Sequence, residues 1–206
     1  CVLKTDTIET VAQVLDENPD AGMAGCVLRN SDGSEQAGCR RQVPTPWRSL
    51  VRVLHLDKVL SGHPRFQSIS LNTTPLPDKP VEVEAISGAF MLVTWKALED
   101  VGPLDDRYFM HCEDLDWCMR FRRKGWRILF VPQAEAVHYQ GHCSTSRPIA
   151  VELYKHKGML RFYNKFFRHQ YPGVLMWLVK GSVWTRFGLV ALYHWAGRKQ
   201  KRPGRG

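Results

Sequence analysis

"VGPLDDRYFMHCEDLDWCMRFRRKGWRILFVPQAEAVHYQGHCS", residues 101–144, decides how this chain is read. Its centre packs three carboxylates, Glu113, Asp114 and Asp116, into four positions. The apolar run Tyr108-Phe109-Met110 precedes them, and Trp117 and an arginine cluster come after. The pattern predicts a helix over 113–124 with Gly125 as its stop. On that helix Asp114 shares a face with Trp117, Cys118 and Phe121, whereas Asp116 faces Arg120 and Arg123. Asp116 therefore reads as a solvated ion-pair member, worth roughly a few tenths of a kcal/mol. Asp114 sits on the apolar side at the helix entrance, where the helix N-terminus favours its ionised form while neighbours exclude water. A carboxylate that is ionised yet poorly solvated is suited to work as a general base. Glu113, in the first turn, is a cap partner or an orienter. The plainer reading, in which all three acids only complement the helix dipole, stays open on this pattern alone. Asp114 and Asp116 also form a D-x-D. Positions i and i+2 of a helix point about 200° apart, so one cation cannot readily use both.

Outward from this block, "AVHYQGHCS" places His138 at a strand end, where a histidine either ligates a divalent metal or is a hydrogen-bonded structural residue. His142 and Cys143, with Cys112 and Cys118, make a zinc site conceivable, although the cysteine spacing is wider than usual. On the N-terminal side, "VEVEAISGAFMLVTW" (81–95) alternates and then turns continuously apolar, as a strand passing from half-exposed to buried would. Gly88 interrupts it, marking a bulge or a close backbone approach. "KALEDVG" is a short helix ending at Gly102, "WRILFVP" a strand closed by Pro132, and "AEAVHYQG" a further short strand. Upstream, Thr7 caps a helix stopped by Asn18-Pro19, "AGMAGCVL" (21–28) is a short buried strand, and "SEQAGCRRQ" returns as a strand after the turn Asn30–Gly33. A helix runs from Trp47 to about Leu60, and 61–80 is a proline-rich loop.

The charge is lopsided. The chain of 206 residues carries a net +9, yet from Val151 to Gly206 there are 12 Lys/Arg against one acid, Glu152, while the first 150 residues hold 17 Lys/Arg against 19 acids. The basicity belongs to the C-terminal segment and calls for an anionic partner, a membrane surface or a nucleic acid. That segment reads as a basic helix over Ile149–Phe167, then an apolar stretch, Val174–Trp195, holding Lys180 and Arg186. It is an interfacial amphipathic helix pair, a membrane-crossing helix or a soluble packing helix. Basic residues interleaved with apolar ones, and "GRKQKRPGRG" at the end, suit an anionic membrane better than nucleic acid. The six cysteines form no C-x-x-C, so reduced thiols are expected. A hydrophobic content of 44% is that of a folded chain rather than a disordered one.

The order of the central elements says more than any one of them. A strand with Ser87-Gly88-Ala89, then "VGPLDDRYF", "EDLDWCMR", "GWRILF" and His138 with small residues after it resembles the inverting family-2 glycosyltransferases of the GT-A fold, rhamnosyltransferase-like members above all. The resemblance covers about residues 7–147. It implies an α/β chain: a partial GT-A domain with a mixed, Rossmann-like sheet over 1–147, the acceptor portion, and a basic, amphipathic helical tail over 148–206. It implies transfer of a sugar from a nucleotide-diphosphate sugar donor to a hydroxyl of a carbohydrate or lipid-linked sugar acceptor, with inversion, in cell-surface polysaccharide or glycolipid synthesis. By the same resemblance Asp114 is the general base and Glu113 its helper. Ser87, Gly88, Ala89 and Trp117 line the acceptor cleft, with core packing the simpler role for Trp117. His138 completes the shell of a divalent metal, Mg or Mn, or meets the diphosphate. The expected location is cytoplasmic, at the inner face of the membrane.

In that family a nucleotide-binding half with an acidic metal motif precedes this region. "CVLKTDTIETVAQVLDENPDAGMAG" resembles the segment just past that motif, so the chain reads as the C-terminal part of a catalytic domain, with most metal ligands outside it. On its own it is expected to bind nucleotide-sugars weakly or not at all. A non-catalytic remnant or acceptor-binding module, and more remotely a basic nucleic-acid-binding protein, are the other readings.

Overall fold

The computed structural model describes residues 1–53, 55–60, 63, 66, 69–139, 148–171 and 173–200. Gly141, His142 and Cys143, part of the 61–80 loop and the terminal run 201–206 lie outside the described residues. The chain divides into two compact units, Cys1–Asp106 with Glu113–Gln140, and Arg107–Cys112 with Gly141–Gly206.

The first unit is a mixed α/β structure built on one parallel strand pair. β1 (Val2–Leu3) and α1 (Thr7–Glu17) lead into β2 (Ala21–Arg29), whose first eight residues are all buried. The sequence explains that burial. "AGMAGCVL" carries no charge, and its glycines let neighbours approach the backbone. A Cβ at Gly22 would lie 2.7 Å from the Ala97 Cβ, and one at Gly25 would lie 2.9 Å from the Ile86 Cδ1. After β3 (Arg40–Arg41), α2 (Pro46–Val53) and α3 (Leu56–Val59) come three two-residue strands, β4 (Val81–Glu82), β5 (Ala85–Ile86) and β6 (Leu92–Val93). The unit is completed by α4 (Trp95–Val101), α5 (Glu113–Arg123) and β7 (Arg127–Val137). The five-stranded sheet runs β1-β7-β2-β6, with β4 also on β7, while β3 and β5 pair separately. β2 and β7 are parallel, and β1, β4 and β6 join them antiparallel. The expected mixed α/β sheet is present.

Several local expectations change. The 81–95 stretch is not one strand: its three pieces pair with β7, β3 and β2 in turn. Glu84 bends the chain between the first two pieces, accepting from the Val43 amide at 2.6 Å and from Arg48 Nη1 at 2.5 Å. Conversely, "RILFVPQAEAV" is one strand, not two. Its register against β2 shifts between Cys26↔Val131 and Val27↔Glu135, so Pro132, which lacks an amide hydrogen, falls in the irregularity instead of ending the strand. The helix expected over 47–60 breaks at His55, which adopts φ 54°. The return strand after the Asn30–Gly33 turn shrinks to Arg40–Arg41 plus an Arg29–Glu35 bridge. Thr7 does not cap α1. As its first helical residue it donates its hydroxyl to the Glu135 carbonyl at 2.7 Å.

The stops fall where glycine chemistry puts them. α4 is capped by Thr94, whose hydroxyl accepts from the Ala97 amide, and ends before Gly102 at φ 79°. α5 ends two residues before Gly125 at φ 86°. Immediately before α5, His111 and Cys112 hold φ 64° and 70°, a left-handed conformation that costs a non-glycine residue about 1–2 kcal/mol.

The second unit is helical. α6 (Pro148–Phe166) and α7 (Gly173–Gln200) pack on each other, with His156 edge-on to Phe187 at 5.5 Å. Phe162, Tyr163, Phe166 and Phe167 form a buried aromatic cluster. Gly158 admits the His111 carbonyl, which would sit 2.7 Å from an added Cβ.

Candidate functional site

Because α5 leads through a tight turn into β7, its N-terminus lies toward the carboxyl ends of the parallel strands β2 and β7. Open α/β sheets place their ligand sites at those strand ends. Asp114 stands there, with its side chain 15% exposed. Three donors hold its carboxylate. Arg41 Nη2 and the Gly88 amide, the latter at 3.1 Å, both donate to Oδ2, and the Leu115 amide donates to Oδ1 at 2.7 Å. The Leu115 amide is one of the N–H groups left open at a helix start. The approach of Gly88 depends on its missing side chain, since a Cβ there would sit 3.1 Å from the Asp114 Cβ. A close approach at Gly88 was legible in the sequence; its partner, Asp114, was not.

The structure thus brings Asp114, Gly88 and Ser87 together. Ser87 donates its amide to the Cys39 carbonyl at 3.3 Å and turns its hydroxyl to accept from the Ala89 amide at 3.3 Å. Ala89 is therefore part of the turn that carries Gly88. Glu113 begins the helix beside Asp114, half-buried. Trp117 donates its indole N–H to the Gly102 carbonyl at 2.9 Å and meets Phe121 edge-on at 5.4 Å, which ties α5 to the end of α4.

Asp116 is a correction. It is not solvated but fully buried, and Arg120 Nε donates to it at 2.9 Å. Arg120 also donates to the Val101, Gly102 and Pro103 carbonyls at 2.9, 3.4 and 2.6 Å. The arginine was expected; what it does was not. It satisfies the carbonyls left open at the C-terminus of α4 and carries Asp116 inward as its counter-ion.

His138 stands just past the end of β7. Its amide donates to the Arg29 carbonyl at 2.9 Å, and its Nδ1 lies 2.7 Å from Gln36 Oε1. Gln36 is itself buried and donates to Asn30 Oδ1 at 2.9 Å. Burial, aided by the positive amino group of Cys1, pulls the imidazole below its ordinary pKa, so the neutral form is favoured. Among the described residues no three His, Cys, Asp or Glu side chains gather as a metal-holding group. The described residues therefore do not make a metal site between them. Nor does Cys118 suit zinc. It is fully buried with its Sγ 3.9 Å from the Met23 sulfur, and burial pushes its thiol up to about 12.

Sequence reasoning missed Arg41. Its partner is 73 positions away, and the only signal was a pair of arginines in a short strand. A second missed pair is Arg48–Glu84. Burial raises the Glu84 carboxyl, but the Arg48 guanidinium and the Val43 amide outweigh it and leave it below the usual carboxylate range.

Comparison with known proteins points the same way. Residues 1–154 match the model of a family described as "Glycosyltransferase like family 2". An N-acetylglucosaminyl-diphospho-decaprenol L-rhamnosyltransferase of Mycobacterium tuberculosis is 28% identical over 184 residues, 89% of this chain and 59% of that protein. The rhamnosyltransferase WbbL of Escherichia coli is 34% identical over 82 residues, 38% of this chain and 31% of that protein. The low-salt glycan biosynthesis hexosyltransferase Agl10 of Haloferax volcanii is 28% identical over 104 residues, 49% of this chain and 32% of that protein. The chain spans less than two thirds of the length of each of these relatives. With 154 of its 206 residues matched, the chain belongs to glycosyltransferase-like family 2.

Proposed function

We propose that the protein carrying this chain transfers a sugar from a nucleotide-diphosphate donor to a hydroxyl of a lipid-linked sugar acceptor, with Asp114 as general base. The carrying observation is the setting of Asp114. It is a carboxylate at a helix entrance, mostly shielded from water, held among the described residues by two donors on one oxygen and by one backbone amide on the other. In the reaction the acceptor oxygen attacks the anomeric carbon while its proton passes to Asp114. The nucleoside diphosphate departs with the bonding electron pair, and the configuration inverts. An oxocarbenium-like transition state asks for this concerted removal of the proton. Glu113, Ser87, Gly88 and Ala89 border the acceptor side of the same place. A divalent ion, Mg or Mn, would neutralise the departing diphosphate. Of this chain's described residues, His138 would be the candidate to meet that ion.

The names of the relatives support a lipid-linked acceptor, and α7 supports a membrane setting. Gly173–His194 is long and apolar enough to cross a bilayer by length and composition. Val174, Trp177, Leu178, Leu189, Leu192 and Tyr193 are exposed on it. With the net positive charge of the segment, that suits an anionic membrane surface.

The test is direct. The complete protein, with dTDP- and UDP-sugars, Mg or Mn and polyprenyl-diphosphate-sugar acceptors, should give a glycosylated lipid of inverted anomeric configuration. Absence of product with every donor, or retention of configuration, would refute the proposal.

A further inference from the structure

We propose that Arg41 is the positioning residue of this base and decides which oxygen of Asp114 meets the acceptor. The inference rests on Asp114 being the general base. β3 and β5 pair with Arg41 opposite Ala85, so the strand that carries Arg41 lies beside the strand that leads into Gly88. Two donors from neighbouring strands, Arg41 Nη2 and the Gly88 amide, thereby converge on Oδ2. Arg41 Nη2 also lies 3.4 Å from the Ile86 carbonyl, which anchors the guanidinium to the strand it faces. Oδ1 accepts from the Leu115 amide alone among these donors. An ionised carboxylate oxygen accepts about two hydrogen bonds, so Oδ1 keeps a lone pair for the acceptor proton while Oδ2 is filled.

The arginine stays charged throughout and is not itself a base. Its work is orientational. With Arg41 removed, the Gly88 amide alone would fix Oδ2, and the carboxylate could turn about its own bond. A misplaced base costs about 10²-fold when the reacting atoms must lie near 3 Å apart. The nearby Arg48–Glu84 pair is the built-in contrast. It is likewise an arginine–carboxylate pair, but its carboxylate binds the Val43 amide and ties the loop before α2 to the bend at Glu84.

The experiment is a kinetic comparison in the complete protein. Arg41→Ala should lower kcat about 10²-fold while the donor KM stays within about twofold, and added guanidinium or Arg41→Lys should restore part of the loss. Arg48→Ala should lower Tm and leave kcat unchanged. Against Asp114→Asn, the Arg41→Ala change should add nothing further, because the two residues act as a unit. A kcat in Arg41→Ala within about threefold of the unchanged protein, or a loss that multiplies with that of Asp114→Asn, would overturn the positioning role and leave the base in place. Full turnover in Asp114→Asn would overturn the base itself. If Arg41→Ala does not fold, a folded Arg41→Met variant, which keeps the stem and loses the donors, carries the same comparison: an unchanged kcat there refutes the proposal.

Discussion

The two units of this chain handle charge in opposite ways. In the first, cations are matched to acids by position: Arg41 to Asp114, Arg48 to Glu84, Arg120 to Asp116, and Lys4 with Arg29 to Glu135. In the second, Glu152 is the single acid among 12 Lys/Arg from Val151 onward, so charge there cannot be matched within the segment. Apolar residues show the same division. The first unit hides them along β2 and β7, while α7 turns a run of them outward, with Trp177 76% exposed. One region is shaped to hold particular groups in particular places. The other carries unmatched positive charge beside an exposed apolar helix face, the features on which the proposed membrane setting rests.

The contrast can be broken, beginning where the largest effect is expected. Arg120→Leu would take the guanidinium away from the buried Asp116 carboxylate and from three carbonyls, so unfolding free energy should fall by about 3–5 kcal/mol in denaturant titration. A loss below about 1 kcal/mol would mean the pair behaves like a surface one. Gly22→Ala should cost about 1–3 kcal/mol, since the new Cβ meets the Ala97 Cβ, which is fixed to a helix backbone.

Acid should separate the units without any mutation. Glu135 is held low by Lys4 and Arg29, and Glu84 is held low despite its burial. A carboxyl lowered in the folded state stabilises above its unfolded pKa and loses that contribution as pH falls through the folded value. Stability of the sheet unit should therefore decline below about pH 4.5, after a smaller decline that starts below about 6.5, where unfolded histidine gains the proton that part-buried His138 resists. Amide exchange in α6 and α7 should change less over the same range, and equal loss in both units would erase the distinction. The smallest effect on stability belongs to Trp177→Asp with Leu178→Asp, within about 0.5 kcal/mol, because both side chains already face outward. The same change should abolish cosedimentation with anionic vesicles; retained cosedimentation would remove α7 from the membrane reading.

Much of the site was legible because its signals are local. The run Glu113–Arg123 announces a helix with acids at its entrance, and the glycines at 102 and 125 mark where chain direction changes. Gly88 could be read as a close approach. What stayed hidden depends on partners remote in sequence. Arg41 gains its meaning from Asp114, 73 positions on. Asp116 with Arg120 has the same i, i+4 spacing whether it is bathed in water or buried, and only the end of α4 decides between them. Pro132 misled for a different reason: it forbids one amide bond, which a bulge can absorb, and does not forbid the strand.

The most direct measurement of the central claim is the single-turnover rate of Asp114→Asn in the complete protein, at saturating donor and acceptor. If Asp114 takes the acceptor proton, the rate should fall by about 10²–10⁴-fold, with Tm and donor binding preserved. A rate within a few-fold of the unchanged protein would contradict the claim, and with it the reading of this helix entrance as a catalytic centre.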